Sequence, residues 1–92
     1  MHIPVFGGLD ISTLDVGNAV VPANSTGHFE YLAPEGYQLI SFGWQGNYDC
    51  VVSAYITYHH TSPRGRFNAL VVNSTSVEIS PAFFVVLVKV GG

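Results

Sequence analysis

The chain has 92 residues, 10% of them charged and 48% hydrophobic, with a formal net charge of −3. Its only basic residues are Arg64, Arg66 and Lys89, too few to neutralise a track of phosphates, which argues against nucleic acid, and too scattered to form a polybasic segment for anionic lipid. No apolar run approaches the roughly 20 residues of a membrane helix, and a lone cysteine, Cys50, rules out an intrachain disulfide.

Charge is scarce for so small a protein, since an average soluble domain carries about 25% charged residues. A small domain has a high surface-to-volume ratio and needs more polar surface than average. Ser, Thr, Asn and Gly can supply part of it. The rest of the deficit is explained if much of the surface is hidden in an assembly, because the centres of protein interfaces are poor in charge and rich in aromatics. The N-terminus shows no basic region followed by an apolar stretch, so no signal peptide is expected.

Residues 1–18 read as an extended arm. His2-Ile3-Pro4-Val5-Phe6 is a short apolar patch, with Pro4 denying it an interior sheet position, and Gly7-Gly8 end it. Ser12-Thr13-Leu14-Asp15 has the outline of a helix-capping box, but Gly17-Asn18 follow too soon for a helix. Ile3, Val5 and Phe6 are the arm residues suited to docking on a neighbouring chain.

From residue 19 onward the pattern is that of strands. Residues 19–22 form a short one closed by Pro22, and 23–27 a turn. Residues 28–32 alternate, with Phe29 and Tyr31 on one face and His28, Glu30 and Leu32 on the other. Ala33-Pro34-Glu35-Gly36-Tyr37 is a turn in which Pro34 sets the first central angle and Gly36 supplies late freedom. Residues 38–43 place Leu39 and Ser41 opposite Ile40 and Phe42. Residues 50–60 put Val52, Ala54, Ile56 and Tyr58 on one face, and Val51, Ser53, Tyr55, Thr57 and His59 on the other. A loop at 61–65 concentrates two of the three basic residues together with Arg66. Residues 67–73 return as a strand, 74–76 turn, and 77–79 make a short run. The last strand, 81–90, is apolar without a break from Ala82 to Val88, so both of its faces call for cover.

The fold expected is therefore all-β, an antiparallel β-sandwich of about seven or eight strands, with residues 1–18 an N-terminal arm and 19–92 the β-sandwich domain. The apolar faces of 51–59 and 83–90 would cover each other within and between subunits. Tyr55, Phe83, Val86 and Val88 are their candidate interface residues.

From Ala33 on, the chain resembles a small β-sandwich module of bacteriophage virions, found at capsid surfaces, tail tips and fibres. The residues that carry this are Ala33-Pro34-Glu35-Gly36-Tyr37 leading into Leu39-Ile40-Ser41-Phe42-Gly43-Trp44, then Val52-Ser53-Ala54-Tyr55, Ala69-Leu70-Val71-Val72-Asn73, and residues 83–90. The chain departs from the pattern at Ser41-Phe42-Gly43, where a glycine pair is usual, and lacks cysteines that some members carry near these strands. The resemblance implies a non-enzymatic structural or adhesive virion part, often trimeric, made in the host cytoplasm and bound to other capsid or tail proteins. A weaker resemblance, carried by the aromatic-rich strands and the terminal apolar strand, is to H-type lectin domains, which bind sugars at subunit edges.

No constellation points to catalysis. Cys50 has Asp49 beside it and apolar neighbours, the reverse of what lowers a thiol pKa, and it reads as a core residue. Asp49, Glu78, Glu30 and Glu35 are the carboxylates from which an acid pair would have to come, and none sits in a recognisable context. His59-His60 point to opposite faces of a strand and cannot easily chelate one ion. No metal or other cofactor is expected. Asn24-Ser25-Thr26 and Asn73-Ser74-Thr75 match the glycosylation acceptor pattern but read as turns. Trp44, Asn47 and Tyr48, with Tyr55, Tyr58, Gln45 and Asp49, are candidates for a platform stacking a host-surface glycan. Against that, a lone tryptophan more often fills a core or an interface.

Overall fold

Six strands alternate with short turns: β1 (Ile11–Asn18), β2 (Ser25–Leu32), β3 (Tyr37–Gln45), β4 (Val51–His59), β5 (Ser62–Asn73) and β6 (Ala82–Lys89). They come from a computed structural model that describes residues 10–59 and 61–90. The strands form two antiparallel three-stranded sheets, β1-β6-β3 and β2-β5-β4, and the described residues include no helix. β5 and β6 are central in their sheets because they carry the most apolar inward rows, Phe67, Ala69, Val71 and Phe83, Val85, Leu87, all buried. The sheets meet across a cluster of phenyl rings. Phe29 stacks on Phe83 at 4.9 Å between centroids, Phe67 lies 5.6 Å from Phe83, and Phe42 lies 5.0 Å from Phe67.

The alternation expected in two segments is present. In β2, Phe29 and Tyr31 are half-buried while His28, Glu30 and Leu32 are exposed. In β4, Val52, Ala54 and Ile56 lean on the core and Val51, Ser53, Tyr55 and Thr57 face out.

Three expectations need correction. Residues 11–18, read as the end of an arm, form the edge strand β1, paired antiparallel with β6 from Ile11↔Val88 to Asn18↔Ala82. A register shift between Asp15 and Gly17, with Gly17 at φ 109°, hides the strand from a strict two-residue period. Residues 1–9, which include Ile3, Val5 and Phe6, lie outside the described residues, as do His60 and the last two glycines.

In β3, strict alternation fails between Leu39 and Ser41, where the register against β6 shifts. The shift puts Leu39 and Phe42 both on the inward side and leaves Ile40 45% exposed. Thirdly, the short runs at 19–22 and 77–79 do not add strands. They join through a single bridge, Val21↔Ile79, and the described residues hold six strands rather than seven or eight.

The turns are held by side chains as much as by the backbone. The Tyr37 amide donates to the Pro34 carbonyl at 3.1 Å and Gly36 has φ 85°, a type II geometry with Gly36 at the position that needs it. Pro34 occupies the first corner of that turn rather than the first central position. At the opposite end of the molecule the Asn73 amide, 1% exposed, donates to the carbonyls of Val21, Pro22 and Val77, and its Oδ1 accepts from the Thr75 amide at 3.0 Å. The acceptor-like Asn73-Ser74-Thr75 is thus a turn, with its asparagine inside the protein.

Candidate functional site

The registers give each outer face row by row. On β2-β5-β4 the rows run Thr26–Val72–Val51, His28–Leu70–Ser53, Glu30–Asn68–Tyr55 and Leu32–Arg66–Thr57. Val51, Tyr55 and Leu70 are 65%, 55% and 43% exposed. They form an apolar patch at one end of the face. The only charges in these rows are Glu30 and Arg66, which face each other at 3.7 Å.

On β1-β6-β3 the outer rows run Asp15–Phe84–Gly43, Thr13–Val86–Ser41 and Ile11–Val88–Gln38. The Phe84 ring lies flat across Gly43, where a Cβ would fall 2.3 Å from its Cζ. Gly43 is therefore a seat for an aromatic ring from the next strand, which any larger residue would unseat. Phe84, Val86 and Val88 are half-buried, with no covering layer on that face among the described residues. Phe83, on the other side of β6, is 1% exposed and belongs to the core between the sheets, out of reach of a partner.

The aromatic residues singled out around Trp44 are not brought to one surface. Trp44 pairs with Phe83 across β3 and β6 and packs on the core. Tyr48 closes over Gly46, where a Cβ would be 2.5 Å from its ring, and Asn47 is exposed beside it. Tyr55 is on the outer face of β4, and Tyr58 reaches across to the other sheet, its hydroxyl donating to the Leu39 carbonyl. Tyr48 and Asn47 stay near each other in the β3–β4 loop without the tryptophan face a stacked sugar would use.

Chemistry is sparse. Cys50 is half-buried against the core, and burial, then the charge of Asp49, raises its thiol pKa. A thiol held protonated at neutral pH is a poor nucleophile. No group of three or more His, Cys, Asp or Glu side chains among the described residues is placed to hold a metal ion. His59 Nδ1 accepts from the Thr61 amide at 3.2 Å and contacts Thr61 Oγ1 at 2.7 Å, which ties that ring to its own turn.

No family model, curated protein or solved structure matches the chain.

One feature escaped the sequence. Leu32, Thr57, Tyr58, His59, Arg64, Gly65 and Arg66 line a cleft of about 420 Å³ at the β4–β5 end of the molecule. The clustering of Arg64 and Arg66 was the visible signal. Its aromatic wall is Tyr58, which stands at the register shift between Thr57 and His59.

Proposed function

We propose that the chain is a non-enzymatic structural subunit of a bacteriophage virion, a small β-sandwich that works by association. The observation that carries the reading is the scarcity of charge on both outer faces, whose rows hold only Asp15, Glu30 and Arg66, while Val51, Tyr55 and Leu70 stand exposed and Phe84, Val86 and Val88 have no layer above them among the described residues. Contiguous exposed apolar surface of this kind marks contact with a partner. Association in copies, a homotrimer first among them, would hide these faces. Ile3, Val5 and Phe6 would add an arm that attaches to a neighbour or to capsid and tail proteins.

The virion assignment rests on the sequence resemblance from Ala33 onward, and the poverty of charge agrees with a part that is mostly interface. An interface of about 800 Å² per partner is the ordinary size for a specific complex, and burial at roughly 25 cal/mol per Å² of apolar area would contribute more than the marginal stability of so small a domain.

The location is tested by immuno-gold labelling of purified particles with antibody raised to the chain. Regular labelling on capsid or tail is the expected result. Antigen found only in the soluble fraction after particles are removed would sink the assignment.

A further inference from the structure

The cleft at the β4–β5 end takes in the last row of the β2-β5-β4 outer face, Leu32–Arg66–Thr57, and has a different chemistry from the rows around Val51 and Leu70. Two of the three basic residues of a chain with net charge −3 line it. Arg64 is fixed by its Nε, which donates to the Ala33 carbonyl at 2.8 Å. Arg66 meets Glu30 at 3.7 Å with both side chains nearly half exposed. An exposed pair at that distance holds its partners weakly, so Arg66 can turn to a ligand at small cost.

The remaining wall holds Thr57 and His59 beside an apolar part built on Tyr58 and Leu32. The Tyr58 ring passes over Gly65, where a Cβ would lie 2.9 Å from its Cε1, and its hydroxyl is tied to the Leu39 carbonyl. One side of the ring is thus fixed against backbone, and the residue is still 50% exposed. Leu32, 46% exposed, lines the cleft with it. Gly65 at φ 83° is what allows the close approach. A clamped ring with a free surface, next to a guanidinium fork, suits a sugar ring that bears an anion, because the C–H groups on one face of the sugar pack on the aromatic ring while the arginine donates in pairs to a carboxylate.

We propose that this cleft binds a carboxylate-bearing sugar of the uronic acid class. The site is separate from the Trp44 loop and does not depend on the association reading. Binding would give an exposed end of the subunit an acidic glycan to hold.

The test is titration of the ¹⁵N-labelled chain with glucuronic acid, with glucose as the twin lacking the carboxylate and acetate as the carboxylate lacking the ring. Glucuronate is expected to shift the amides of Leu32, Thr57, Tyr58 and Gly65 in a saturable way, while glucose and acetate at equal concentration do not. Arg66→Gln, at an exposed position, should weaken glucuronate binding about tenfold, the size of one lost charge-assisted hydrogen bond, with the rest of the spectrum unchanged. In the unmodified chain, raising salt from about 20 mM to about 500 mM should weaken it as well, since the Debye length shrinks several-fold over that range. No saturable shift at about 10 mM glucuronate, too weak for a site of millimolar affinity, would overturn the proposal. So would equal binding of glucose or acetate, shifts mapping to another surface, or affinity unmoved by Arg66→Gln.

Discussion

Asn73 ties three separate pieces of chain with one side chain. Its Nδ2 reaches the carbonyls of Val21 at 3.2 Å, Pro22 at 3.0 Å and Val77 at 2.8 Å, and its Oδ1 accepts from Thr75 Oγ1 at 2.6 Å as well as from the Thr75 amide. An amide nitrogen has two hydrogens, so three carbonyls share them. Replacing Asn73 with Ala removes the donors and the acceptor of the Thr75 amide, while the Val21 carbonyl keeps the Ile79 amide and the Val77 carbonyl keeps Thr75 Oγ1. Each hydrogen bond lost costs about 0.5–1.5 kcal/mol, and Asn73→Ala should lower the midpoint of urea unfolding accordingly with an unchanged slope. A midpoint equal to the parent's would mean that water replaces the amide at no cost. The turn itself was legible, because Asn-Ser-Thr hydrogen-bonds nearby backbone. The reach to Val21 and Pro22, some fifty residues back, was not, since nothing local in sequence encodes it.

At the scale of elements, register decides which residues matter. Strand β2, and β4 as far as its register shift after Thr57, could be read residue by residue because each keeps a two-residue period against a half-buried face. Strand β3 breaks the period at its register shift, and a run such as Leu39-Ile40 gives no sign of which residue turns inward. Strand β1 was missed for a related reason. Its Ser, Thr and Asp suit an edge with an open side, where the pairing to β6 and not apolar content makes the strand.

The β3 register makes a contrast between two neighbours of nearly equal hydrophobicity. Leu39, at 0% exposure, should cost about 2–5 kcal/mol when replaced by Ala. Ile40, 45% exposed, should tolerate Thr within about 0.5 kcal/mol, as surface positions do. Thermal unfolding of the two variants reads the difference directly. Comparable losses in both would show that Ile40 is as buried as Leu39, against the exposure found for it.

For the whole molecule, the two sheets solve only half of the problem posed by the final strand. The inward row of β6, Phe83, Val85 and Leu87, is covered by the opposite sheet, and the outward row has neighbours at its sides and, among the described residues, nothing above. The outer face of β2-β5-β4 is likewise apolar at one end, and its two charges neutralise each other at the other. Composition already pointed to this excess of apolar surface. Its division into two separate faces and a basic cleft needed the strand order, because β4 and β6 fall in different sheets and cannot cover each other edge to edge.

The central claim is that these faces meet other copies of the chain. Light scattering after size exclusion, across a dilution series of the purified protein, tests it most directly. The account predicts a discrete oligomer, a trimer in the first instance, that persists on dilution through the micromolar range. A monomer of 9.9 kDa at every concentration would contradict it, because the apolar rows on both outer faces would then be stable in water with no partner.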